Sequence, residues 1–164
     1  MKHTLALTAC LALLATGCPD TDAAVFVEAS IEDPSVTVSQ SSLAAGIGGS
    51  FTLLLHLGPR ADDASEVDIN QLSFTNADRT ATVVESLKFS TDAQLPVQVP
   101  IDSDVRVNIT FLPDGSDGNL LDNADNFCDS AGMPIQIAAA GSLSDSLRGT
   151  NLPVHSLPFD PICP

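Results

Sequence analysis

The 164-residue chain has no Trp and no Tyr, and 7 Phe are its only aromatic residues. Stacking platforms for nucleotide bases or sugar rings are therefore missing. Cations are scarce too: 6 Lys and Arg stand against 21 Asp and Glu, a net charge of -15. A field of that sign repels a phosphate backbone, which excludes nucleic acid as a partner. It gives no polybasic grip on anionic lipid either. No G-x-S-x-G and no C-x-x-C occurs, so neither a hydrolase elbow nor a zinc ribbon is written into the chain. What is plentiful is apolar residue, 44% of the total, enough for one compact core and one domain.

The first stretch reads as an address. Met1, Lys2 and His3 form a short charged head, and Leu5 to Leu14 is apolar but for Thr8. That run is too short to cross a bilayer, which needs about 20 residues, and small residues follow it as before a cleavage site. The sequence Leu14-Ala15-Thr16-Gly17-Cys18 resembles the signal of bacterial lipoproteins, with Ala15 where that class commonly has Leu. The resemblance implies a signal peptide over 1–17 and lipidation (palmitate among the acyl chains) of Cys18. It also implies a place in the cell envelope, the outer membrane ahead of the inner. An ordinary secretory peptide cut elsewhere is the alternative. Residues 18–24 are short, polar and aperiodic, and read as a tether before a domain over 25–164.

Of the four cysteines, Cys10 falls in the signal and Cys18 takes the lipid. Cys128 and Cys163 remain, a single pair in a chain sent to an oxidising compartment, and one disulfide is expected. A metal reading of this pair is weak, because His56 and His155 lie far from both in sequence.

The body reads as strands, because apolar residues recur with period two. Val25, Val27, Ala29 and Ile31 share a face before Asp33-Pro34 interrupts, and Val36 and Val38 resume. Leu43 to Gly49 reads as a small-residue turn. Phe51, Leu53, Leu55 and Leu57 line the most apolar segment, a central strand that Gly58-Pro59 ends. Val67 and Ile69 keep one phase and Leu72 and Phe74 the other, a slip near Asn70-Gln71 that a β-bulge produces. Ala81, Val83, Leu87 and Phe89 suggest a further strand, Pro96 and Pro100 frame another, and Val105 to Phe111 alternates cleanly. Ile135, Ile137 and Ala139 follow, and Leu152 to Phe159, with Pro153 and Pro158, can form only an edge strand or a tail. The expectation is all-β: an antiparallel β-sandwich of immunoglobulin-like architecture with about seven to nine strands. A closed barrel is the alternative. Such a fold implies no function of itself.

Candidate chemistry is thin. His56 sits on the minor face of the central strand, where a histidine hydrogen-bonded at a sheet surface is expected rather than a base. His155 falls between prolines, in an exposed position. Asp102 and Asp104 share a strand face and could form a glycosidase-like pair, although solvated acidic edges explain them better. Asn108-Ile109-Thr110 matches a glycosylation sequon.

The one dense cluster runs over 113–129, with five Asp, three Asn and two Gly. Hard oxygens and turn-permitting glycines are what calcium requires. The segment 114–128 resembles the thrombospondin type 3 calcium repeats, with Asp122, Asp125 and Asn126 in matching spacing. That resemblance implies a calcium site made by Asp114, Asp117, Asp122, Asp125 and Asn126. A polar surface loop anchored at Cys128 is the alternative. Three functions follow in order: a non-catalytic interaction or structural module on the envelope, a calcium-dependent adhesion or binding module, and an envelope hydrolase. The first has two partners, the membrane through its anchor and an envelope protein or surface ligand.

Overall fold

The structure, a computed structural model, describes residues 22–40, 44–122 and 124–164. The signal peptide and Cys18 lie outside the described residues. Among the described residues ten strands follow in chain order: β1 (Glu28–Gln40), β2 (Ala45–Leu57), β3 (Ser65–Asn76), β4 (Thr82–Val84) and β5 (Ser90–Thr91). Then come β6 (Val97–Val99), β7 (Ser103–Phe111), β8 (Asn119–Leu121), β9 (Ile137–Asp145) and β10 (Asn151–His155). They form two antiparallel sheets of five strands. The first runs β1-β2-β7-β5, with β8 also on β2, and the second runs β10-β9-β3-β4, with β6 also on β3. The expected all-β sandwich is what forms. The count exceeds the expected seven to nine because β4, β5, β6 and β8 are pieces of two or three residues. Pieces so short display little period of their own, and of these only β6, framed by Pro96 and Pro100, stands out in the sequence.

Period two explains the core. Phe51, Leu53, Leu55 and Leu57 of β2 point inward and are buried, as are Val107, Ile109 and Phe111 of β7. The second sheet answers with Val67, Ile69, Leu72 and Phe74 of β3 and with Ile137, Ala139 and Leu143 of β9. Phe74 is the hub, its ring centroid 5.7 Å from that of Phe111 and 6.3 Å from those of Phe127 and Phe159. Edge-on aromatic packing of this kind adds about 0.5–1.5 kcal/mol per pair to simple area burial.

The expected phase slip in β3 is present as a register shift between Ile69 and Gln71. It rotates Leu72 and Phe74 back onto the inner face, so both halves of one strand serve one core. The interruption expected at Asp33-Pro34 is a bulge within a continuous β1: the register shifts between Glu32 and Ser35, and Asp33 has φ 50°. The bulge has the same consequence there, burying Ile31 before it and Val36 and Val38 after it.

The expected turn over Leu43–Gly49 is corrected by the structure, which starts β2 at Ala45. The glycines have a different cause. Pro113 lies on the outer face of the sheet here. A Cβ on Gly46 would stand 2.3 Å from the Pro113 carbonyl oxygen, and one on Gly48 would stand 2.6 Å from its Cδ. Both positions must be glycine for the 112–118 loop to seat on the sheet. The strand expected over Ala81–Phe89 is also corrected: only Thr82–Val84 pairs, with Phe74 and Thr75 of β3.

Register divides the molecule into two ends. Glu28 pairs with His56, Leu57 with Ser103, and Ser65 with Val99, so the chain enters the domain at the end holding the 58–64 and 100–102 turns. The opposite, far end holds the 112–118 loop, the 124–136 segment and the C-terminal tail. That tail is a strap. Phe159 exchanges two backbone hydrogen bonds with Ile137 of the second sheet (3.1 and 2.9 Å). Ile162 then takes the Val38 N–H (2.9 Å) and gives its own to Val36 (2.7 Å) on the edge of the first.

Candidate functional site

At the entry end, β2 and β7 place His56 and Asp104 opposite each other, as cross-strand partners 48 positions apart in sequence. The imidazole Nδ1 lies 2.7 Å from the Asp104 carboxylate and Nε2 lies 2.7 Å from that of Asp22. Carboxylates only accept, and a neutral imidazole has one N–H to give. Both contacts are therefore satisfied together only by imidazolium. The Asp104 hydrogen bond first, and that of Asp22 second, push the His56 pKa above the ordinary histidine value, against a smaller opposing effect of burial. The Ala24 N–H, then His56, hold the Asp22 carboxyl below its usual range. His56 is thus a hydrogen-bonded residue at a sheet surface, as expected. Asp102 does not share the strand face of Asp104, contrary to expectation; it occupies the turn before β7 with φ 55°. The glycosidase-like pairing of Asp102 with Asp104 is not formed.

The last residues read as tether sit against the domain, with Asp22 on His56 and Ala24 buried. Close by is a group that the sequence reading missed. Asp145, at the end of β9, is 2% exposed. Its carboxylate accepts from the Val27 N–H (3.0 Å), the Leu147 N–H (2.9 Å) and the Ser65 hydroxyl. It fastens the entering chain to both β3 and β9. A signal existed: Asp145 continues the inward phase of Leu143, a polar residue where the period calls for an apolar one.

At the far end, Cys128 and Cys163 form the expected disulfide, with Cα atoms 5.9 Å apart. It fixes the strap. Asp114, Asp117, Asp122, Asp125 and Asn126 are all exposed. The segment is ordered from its backbone and from Asn119, which is buried and bonds the Lys88 N–H (2.7 Å), the Lys88 carbonyl (2.8 Å) and the Leu112 carbonyl (3.1 Å). Phe127 enters the core beside Cys128. Among the described residues no three His, Cys, Asp or Glu side chains gather as metal ligands.

His155 is exposed on β10, as expected; partial burial of its ring and then the Arg79 charge lower its pKa. Asn108, the sequon residue, is engaged by Asp92, whose carboxylate takes both its amide (2.6 Å) and its backbone N–H (2.8 Å). Those two bonds hold Asp92 below the usual carboxylate range. No helix among the described residues is long and apolar enough to cross a membrane. No family model matches the chain, and no curated protein or solved structure does either.

Proposed function

We propose that this is a lipid-anchored, non-catalytic interaction module of the cell envelope, held to the membrane through Cys18. The observation that carries the reading is the Cys128–Cys163 bond. A structural disulfide belongs to an oxidising compartment, which agrees with an export signal. The pairing also leaves Cys18 as the odd thiol of the exported chain, the one that the lipoprotein-like sequence assigns to acyl chains. Against catalysis stands the state of His56: both its ring nitrogens face carboxylates, leaving no basic nitrogen to activate a hydroxyl.

Metabolic labelling with a fatty acid tests the anchor. Label enters the wild-type protein and is absent from Cys18→Ala, which accumulates as uncleaved precursor. An unlabelled wild-type protein refutes the anchor.

A further inference from the structure

The far end of the first sheet carries apolar side chains on its outer face. Outward positions follow from the register. Thr37 pairs with Gly48 and Ser39 with Gly46, and Thr37 and Ser39 are exposed. Ile162 bridges to Thr37 in parallel, so it stands on that same face, 57% exposed. Leu120 pairs with Gly46 from the other side and is 67% exposed. Pro113 covers the two glycines between them. Leu112, next to Pro113 and following the inward Phe111, is 60% exposed. Leu112 and Leu120, each exposed by more than half, stand on the outer face with the seated Pro113, and Ile162 lies beyond the exposed Thr37 on the same face. Clustered apolar side chains left in water mark an interaction site.

Charge selects the occupant. Asp114, Asp117 and Asp122 flank Leu112 and Leu120 in sequence and are exposed. Lys88 is the one cation bonded to this loop among the described residues, its ammonium 3.4 Å from the Ser116 carbonyl. A second copy of a chain with net charge -15 brings like charge against like. An anionic bilayer does the same.

We infer that Leu112, Pro113, Leu120 and Ile162, rimmed by Asp114, Asp117 and Asp122, form a docking face for a protein surface that surrounds apolar side chains with lysine or arginine. Apolar contact provides the affinity, and the acidic rim provides encounter rate and choice of partner. The face lies at the end opposite to the entering chain, where a partner has free approach while the tether is engaged. This deepens the interaction-module reading and rests on it for the class of function, not for the chemistry of the face.

The test uses the exported domain and a fluorescent soluble peptide of lysine and leucine, read by anisotropy. Lysine–serine and glutamate–leucine peptides are the comparisons. The lysine–leucine peptide binds and the other two bind at least about tenfold more weakly. Leu112→Ser with Leu120→Ser, or Asp114→Asn with Asp117→Asn, weakens binding by about tenfold or more, as loss of a central contact does. Asp62→Asn with Asp63→Asn, at the entry end, leaves it unchanged. Circular dichroism matching the wild type shows that each variant is folded. Equal binding of the lysine–serine peptide, or equal weakening by the Asp62 and Asp63 changes, overturns the inference in favour of diffuse charge attraction. Self-association in sedimentation that Leu120→Ser abolishes overturns it in favour of a second copy. Fatty-acid labelling of Cys18 is independent of every one of these outcomes, so failure of the docking face and failure of the anchor are told apart.

Discussion

Replacing Asp145 with Ala strips one acceptor from three donors at once. The Val27 N–H is buried and has its bond to this carboxylate alone among the described contacts. It bears the full cost of an unsatisfied group, about 1–3 kcal/mol. The Leu147 N–H is only partly buried and regains part of its loss from water. The Ser65 hydroxyl turns to Ser146, whose Oγ is 3.2 Å away. The carboxylate's own desolvation is relieved at the same time. The net expectation is about 3 kcal/mol, which lowers the Tm of a domain of this size by about 10 °C. Asp145→Asn is the informative companion. One oxygen can serve Ser65 and Leu147 while the amide meets the Val27 N–H, or the amide can be turned to spare Val27 at the cost of Leu147. In either orientation one backbone donor is lost, and the cost is about half that of Ala. The assay is urea and thermal unfolding with the disulfide intact, and a double-mutant cycle with Ser65→Ala should show coupling of about 1 kcal/mol. An Asn variant as stable as wild type, or an Ala variant within about 1 kcal/mol of it, refutes the claim that this carboxylate fastens the entering chain.

The remaining predictions use the same two ends. His56→Gln lowers the Tm at about pH 6, and the gap to wild type narrows as pH rises above the ordinary histidine range. A raised histidine pKa contributes stability that is fully present below the ordinary value of 6.5 and lost as pH rises through the raised one. Asp22 has the opposite sign: its depressed pKa contributes above the usual carboxylate range and is lost as pH falls, so the Asp22–His56 contact is complete only in the window between. Cys128→Ser with Cys163→Ser costs about 3–4 kcal/mol by loop entropy over a separation of 35 residues. Hydrogen exchange then rises first at Val38 and Ile162. Millimolar calcium and magnesium shift the Tm equally, and Asp122→Asn leaves the shift unchanged, because the loop carboxylates face water; a calcium-specific rise that Asp122→Asn removes would instead establish the calcium-binding module. Gly48→Val lowers the Tm by several degrees, since its side chain must displace Pro113 from the sheet.

Long strands were legible in the sequence because one of their faces is buried. The phase reversal at Asn70-Gln71 even located the bulge in β3, since a strand that serves one core cannot change phase without an extra residue. The Ala45–Gly49 stretch was misread for the converse reason. Gly46 and Gly48 are explained by Pro113, which lies far along the chain, and nothing local announces that contact. Of the short strands, β6 was legible, since Pro96 and Pro100 frame it and Val97 and Val99 alternate inward about Gln98, whereas β8 exists as a partner of β2 and its own residues carry no pattern. Of the sites, the cysteine pair was legible because the expected signal over 1–17, with lipid on Cys18, leaves one pairing. His56 was recognisable as a surface residue, but its two carboxylates come from Asp104, by register across two strands, and from Asp22, by the course of the entering chain. Asp145 was visible as a break in period and could not be read as a buried anchor without Val27 and Ser65 around it.

The two ends of the sandwich are held by different chemistry, and this bears on what each end can do. At the entry end the fastenings are carboxylates: Asp145 on Val27, and Asp22 on His56. The first depends on geometry, the second on proton occupancy as well, and the partly exposed pair at His56 opens at little cost. At the far end the fastenings are a covalent bond, two backbone bonds from Ile162, and aromatic rings packed on Phe74. None of these titrates in the neutral range, so the far end keeps its shape while protonation at His56 alters how the chain enters. A docking face needs that constancy, because ordering a loose surface on binding subtracts from affinity. Exposed leucines are tolerable there for the same reason. They are carried on β8 and on a loop seated against two glycines, and their burial by a partner removes apolar surface from water without a matching loss of conformational freedom.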